Sequence, residues 1–252
     1  MTTNIPVNYD ALLAETINIP LLEGSTISGY YARPLGSGPF PGVIVIFEAF
    51  GMMPHTKEMV RKFAAAGYLA IAPDLYFREG ALDPTDMRAV MQRMGGISDS
   101  QAIADMESTA QFLKRQPTSN GKVGVIGHCS GGRHSLLFAC NTSSLDAAVD
   151  CYGGRVITEE FTEAMPTAVI DMIQNLQCPL LGLFGETDAN PTPDHVHQLE
   201  QSLTANNKQY EFIMYPDPVG HGFFCEYRPS YNQEAAVDGW SQIFRFFGKH
   251  LG

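Results

Sequence analysis

The sequence predicts an α/β fold in which a mostly parallel central sheet is flanked by helices on both faces. Apolar, β-rich runs alternate with amphipathic helical patterns along the chain. Val43-Ile44-Val45-Ile46-Phe47 is continuously apolar, as a strand covered on both faces requires. No internal repeat, low-complexity stretch or linker interrupts the alternation.

Taken in order, 15–32 reads as one or two antiparallel strands. The Val43 run is bounded by Pro41-Gly42 and Gly51. His55 to Ala66 follows as a helix with Met59, Val60 and Phe63 at helical spacing, and Gly67 sits where a left-handed cap belongs. Tyr68 to Ala72 is the next strand, and Pro73-Asp74 turns the chain out. Ile103, Met106, Ala110 and Leu113 mark a helix ended by Pro117. Lys122 to Ile126 is a strand and Gly131 to Cys140 a helix; Asp146 to Cys151, Pro179 to Phe184 and Tyr210 to Tyr215 are further strands. Val237, Trp240, Phe244 and Phe247 form the stripe of a last helix. The stretch 156–177 reads as a long surface connection, with a helical excursion over the sheet's C-terminal edge as the alternative. One domain is expected over 1–252, with N-terminal strands at about 15–34 and a catalytic core at about 40–250.

Bulk properties narrow the function. The 252 residues are 44% hydrophobic and 17% charged, ordinary for a globular enzyme. A formal charge of −11 without a basic run argues against nucleic acid or an anionic membrane as partner. No apolar run approaches the roughly 20 residues that span a bilayer. Five scattered cysteines without C-x-x-C spacing argue against a disulfide framework or zinc site. The start, Met1-Thr2-Thr3-Asn4-Ile5-Pro6, lacks the pattern of a secretory signal, so a cytoplasmic protein is expected.

The most informative segment is Val123-Gly124-Val125-Ile126-Gly127-His128-Cys129-Ser130-Gly131-Gly132. It reads strand, then G-x-C-x-G, then helix: a nucleophile elbow carrying sulfur. A sharp turn needs small residues two positions to either side, which Gly127 and Gly131 supply, and the helix N-terminus favours thiolate. Ser130 is the rival nucleophile, but His128 stands where its flanking glycine should be. A buried structural cysteine in a glycine-rich turn is the alternative for Cys129. Among seven histidines His221 fits best as the base, because it follows a strand and lies between Gly220 and Gly222. Asp188, just beyond the 179–184 strand, is the candidate that orients it, with Glu186 and Asp194 as competitors. The order nucleophile, acid, histidine is that of α/β-hydrolases.

These residues resemble the dienelactone hydrolase family (carboxymethylenebutenolidases) from about Phe40 to Phe247. Glu48-Ala49-Phe50-Gly51 looks like the family's glutamate motif, and Pro73-Asp74-Leu75-Tyr76 like its P-D-L-Y turn. Asn120-Gly121-Lys122-Val123-Gly124 leads into the elbow as it does there. Gly220-His221-Gly222-Phe223 and Arg228-Pro229-Ser230-Tyr231 complete the pattern. The resemblance implies a cofactor-free hydrolase of small lactones or esters working through a thioester. Cys129 would attack, His221 shuttle the proton and Asp188 hold His221. Glu48 would hydrogen-bond the resting thiol and help deprotonate it. Backbone N–H groups of Ser130 and Ala49 would form the oxyanion hole. Phe50, Tyr76, Tyr152 and Arg228 are candidate substrate contacts, and a monomer or homodimer is expected, with no metal.

The sequence departs from the family at its substrate-binding arginines. After Ala81-Leu82-Asp83-Pro84 the position of the first is Val90, and that of the second is Cys225. Arg78, Arg133, Arg155 and Arg228 could form another anion clamp. Two other functions stay open: a non-catalytic ligand-binding relative, and a thioesterase or acyltransferase using the same triad.

Overall fold

The computed structural model describes residues 11–80 and 82–252; the opening residues and Ala81 of the A-L-D-P stretch lie outside the described residues. An eight-stranded sheet runs through the described residues in the order β1-β2-β4-β3-β5-β6-β7-β8. Its strands are β1 Leu12–Pro20, β2 Thr26–Pro34, β3 Phe40–Ile46, β4 Leu69–Pro73, β5 Ser119–His128, β6 Ala147–Cys151, β7 Leu180–Gly185 and β8 Tyr210–Tyr215. β1 pairs with β2, and β2 with β4, in antiparallel fashion, and every later pairing is parallel.

Among the described residues six α-helices cover the two faces: α1 Pro54–Ala65, α2 Met87–Gly96, α3 Asp99–Lys114, α4 Ser130–Ala139, α5 Pro193–Ala205 and α6 Gln233–Leu251. The pleat divides the core. Ile44 and Ile46 of β3 point to one side and pack with Met106 and Leu113 of α3 and Leu136 and Phe138 of α4. Val43 and Val45 point to the other side, against Phe63 of α1 and Phe246 and Phe247 of α6. Because β3 is buried on both faces it reads as an unbroken apolar run. Helix starts are marked by polar caps. Asp86, Ser98, Thr192 and Asn232 each accept a hydrogen bond from a backbone N–H three residues on.

The register brings the ends of five of the six parallel strands to one edge. Ile46 lies opposite Gly127, His128 opposite Cys151, Cys151 opposite Leu183 and Gly185 opposite Tyr215. The chain therefore turns out of the sheet at Glu48, Cys129, Tyr152, Asp188 and His221 along a single crest, where open α/β sheets bind ligands.

The stretch 156–177 is more than a surface connection. It contains one 3-10 helix, Val169–Asn175, buries Val156, Ala168 and Ile173, and its Ala164 carbonyl accepts a hydrogen bond from the Asp99 N–H. Phe161, Met165, Val169, Ile173 and Leu176 do recur at helical spacing, yet the stretch forms only this one short helix. Among the described residues, no helix is long and apolar enough to cross a membrane, and no cluster of three or more His, Cys, Asp or Glu side chains is arranged to hold a metal.

Candidate active site

Cys129 stands at the tip of the β5–α4 turn with φ +58° and ψ −121°. A non-glycine residue in that conformation costs of order 1–3 kcal/mol, so neighbouring contacts must hold it there. They do. The Cys129 N–H donates to the Cys151 carbonyl at 3.1 Å, and its own carbonyl accepts from the Gly132 N–H at 3.0 Å. The flanking glycines are dictated by contact: a Cβ on Gly127 would sit 1.8 Å from the Gly131 carbonyl oxygen, and one on Gly131 2.5 Å from that of Ile46. Cys129 is partly exposed, whereas the other four cysteines are buried.

His221 reaches the crest from the loop after β8. That loop is stitched to the one after β7: Thr187 N–H and Thr187 Oγ1 both donate to the Val219 carbonyl, at 3.0 and 2.9 Å. Gly185 and Gly220 permit this, since a Cβ on either would come within 3.0 Å of the opposite loop. The result is a 2.9 Å hydrogen bond between His221 Nδ1 and Asp188 Oδ2. Asp188 is buried, and its other oxygen accepts from the Asn190 N–H at 2.8 Å. With the Asp188 oxygen as acceptor, Nδ1 carries a proton and Nε2 is the nitrogen left for the thiol. The two rival acids are elsewhere: Glu186 accepts from the Asp217 N–H, and Asp194 is in the first turn of α5.

Burial disfavours the imidazolium of His221, but hydrogen bonds to Asp188 and Cys129, and the negative charge of both, outweigh it and push its pKa up to about 10. Glu48 is buried at the end of β3, and burial raises its pKa against the lowering pull of Arg228 and His221. Both carboxylate oxygens of Glu48 are bound by Arg228, Oε1 by Nη1 at 3.2 Å and Oε2 by Nη2. Both oxygens of Glu48 are thus engaged by Arg228, whose approach across 180 residues of chain has no local signal in the sequence.

A cavity of about 510 Å³ opens over these groups, and Phe50, Cys129, Ser130, Asp188, His221 and Arg228 all contribute to its wall. Ala49 lines it too, and Ser130 heads α4, where a backbone N–H has no intrahelical partner. A second cavity of about 580 Å³, which Glu48 lines, shares Phe50 and Arg228 with the first, and the Arg228 guanidinium sits 4.7 Å over the Phe50 ring. Of the four candidate substrate contacts, Phe50 and Arg228 reach the cavity. Tyr76 and Tyr152 do not: both are buried beneath it, Tyr76 against Phe47 and Tyr152 edge-on to His221 at 5.1 Å. His128 is likewise buried, packed on Tyr152 and Phe224, and His134 lines the cavity.

The separate anion clamp drawn from four arginines does not form. Arg78 binds Asp105 and is not part of the cavity wall, while Arg133, Arg155 and Arg228 each face a carboxylate of their own. Sequence reasoning also missed the methionines of the wall, Met87, Met91, Met94 and Met165. The first three are spaced four and three apart, a helical stripe that could have been read from the sequence.

Comparison with known proteins agrees with this architecture. The model of the dienelactone hydrolase family matches residues 27–251. A curated relative from Escherichia coli (strain K12), "Putative carboxymethylenebutenolidase", is 38% identical over 256 residues, covering 100% of this chain and 92% of its own. The crystal structure of a "Putative Dienelactone Hydrolase" from Klebsiella pneumoniae is similar with a TM-score of 0.88 at 36% identity, covering 95% of this chain and 99% of that one. A dienelactone hydrolase-like promiscuous phosphotriesterase from metagenomic libraries shares the fold, with a TM-score of 0.79 at 23% identity over 96% of this chain and all of its own. The chain is a member of the dienelactone hydrolase family, a hydrolase of α/β-hydrolase fold.

Proposed function

We propose that the protein hydrolyses small lactones or carboxylic esters through a thioester formed on Cys129. The observation that carries this reading is the chain of contacts from Cys129 to His221 to Asp188 at the floor of one cavity. His221 Nε2 holds the proton of the thiol, and the sulfur attacks the carbonyl carbon as thiolate. The oxyanion that forms is held by the backbone N–H groups of Ser130 and Ala49. Collapse breaks the carbon–oxygen bond, and His221 returns the proton to the departing alkoxide, which in a lactone stays tethered to the acyl chain. His221 then takes a proton from water, the hydroxide attacks the thioester, the carbon–sulfur bond breaks, and the departing sulfur is paired again with the proton on His221 as the acid is released.

Asp188 fixes the tautomer and favours the imidazolium that forms in each half-reaction. Glu48 holds Arg228 over Phe50, and so shapes the wall that the two cavities share. The α4 N-terminus places its positive end behind the sulfur.

The test is Cys129→Ala assayed on an activated ester such as p-nitrophenyl butyrate. Turnover is expected to vanish while the circular dichroism spectrum stays that of the parent. Turnover at the parent rate would end this reading.

A further inference from the structure

Three arginines border the cavity over Cys129, and each already has a carboxylate partner. Arg133 is buried and holds Asp99 through hydrogen bonds of 2.7 and 2.9 Å. Arg228 spans both oxygens of Glu48. Arg155 faces Glu160 at 3.7 Å. Arg93, on α2, is not part of the wall; it lies 4.2 Å over the Tyr76 ring and donates to the Gly80 carbonyl.

Four methionines share the rest of the wall with Phe50, His134, Thr187 and Asn190. Met87, Met91 and Met94 line one face of α2, and Met165 comes in from the stretch between β6 and β7. Met87 and Met91 are each 51% exposed, so folding leaves this apolar surface uncovered. Unbranched, polarisable methionines adapt to apolar chains of varied shape.

We propose that the acyl group accepted here is uncharged and apolar, seated against these methionines, and that esters bearing a second carboxylate are discriminated against. The proposal rests on Cys129 as nucleophile and names the substrate class of that site. A carboxylate entering the cavity loses water and meets arginines that already face carboxylates, of which only Arg155, beside the exposed Glu160, can turn to it without stranding a buried charge. Capturing Arg228 or Arg133 would strand Glu48 or Asp99 as an unpaired buried charge. The net charge of −11 opposes anions at longer range.

The experiment compares kcat/KM for p-nitrophenyl hexanoate with that for mono-p-nitrophenyl adipate, which has the same acyl length and a terminal carboxylate. The hexanoate is expected to win by on the order of a hundredfold. The ratio should survive roughly 0.5 M NaCl, because long-range repulsion is screened there and desolvation in the cavity is not. Met91→Lys puts a cation at a half-exposed position of the mouth, and should narrow the ratio by about tenfold. An adipate ester hydrolysed as fast as the hexanoate, a ratio that collapses in salt, or one indifferent to Met91→Lys would each overturn the proposal. Cys129→Ala is assayed on both esters. If it is inert and the adipate ester is still the better substrate, the nucleophile stands and the substrate class falls; if it turns over both, the nucleophile fails and takes this proposal with it.

Discussion

Asp188→Asn is the sharpest single perturbation of the catalytic reading. Asparagine is nearly isosteric, and its Oδ1 can keep the 2.8 Å hydrogen bond from the Asn190 N–H. Its Nδ2 then occupies the place of the oxygen now 2.9 Å from His221 Nδ1. Two donors cannot face each other, so Nδ1 must become the acceptor and the ring proton moves to Nε2. The nitrogen aimed at Cys129 would then carry a proton and could not take another. The imidazolium would also lose the charge of Asp188, one of the causes that lift its pKa to about 10. A wrong tautomer of this kind costs about 10³–10⁴-fold in kcat, or roughly 4–5.5 kcal/mol of transition-state stabilisation. The assay is steady-state hydrolysis of p-nitrophenyl butyrate beside a thermal melt, with KM expected to change far less than kcat. A variant that folds and keeps kcat within tenfold of the parent would refute the assigned chain of proton transfer.

Three further outcomes follow from the same geometry. Gly127→Ala forces a Cβ to within 1.8 Å of a backbone oxygen, so the elbow must shift; both the melting temperature and turnover should fall, and an unchanged melt would mean the turn is not confined as described. Arg133→Met leaves the Asp99 carboxylate buried without its partner and should cost about 3–5 kcal/mol in urea unfolding, most of it recovered in the Arg133→Met/Asp99→Leu double variant. Because the fold raises the pKa of His221, that residue's contribution to stability is complete below its ordinary pKa of 6.5 and is lost as pH rises through about 10. The melting temperature of the parent should therefore decline over that window more steeply than that of His221→Gln, and parallel declines would contradict the assignment.

Much of this was legible in the sequence because local rules and tertiary structure agree there. β8 falls at Tyr210–Tyr215 as read, and β3, α1, α4, β6 and β7 begin and end within a few residues of their apolar patterns. The left-handed Gly67 is present at φ +97°. The elbow was readable because steric confinement leaves a compositional trace: only glycine fits at Gly127 and Gly131. Groups whose position depends on distant partners left no such trace. Arg133 finds Asp99 across 34 residues and Arg228 finds Glu48 across 180, so pairing of the arginines could not be seen from spacing. Tyr76 and Tyr152 follow strand ends like true wall residues, yet both side chains turn under the cavity, Tyr152 with φ +42°. Met165 reaches the wall because its segment folds back to the start of α3, where the Asp99 N–H donates to the Ala164 carbonyl, a docking that local spacing does not fix.

The central claim concerns where the acyl group is carried, and mass spectrometry of the whole protein during turnover of a slowly deacylating ester reads it directly. The account predicts a transient mass increase equal to one acyl group, mapped after acid quench and digestion to the peptide holding Cys129 and absent from Cys129→Ala. An adduct on Ser130, or steady hydrolysis with no adduct under conditions that trap a thioester, would contradict it.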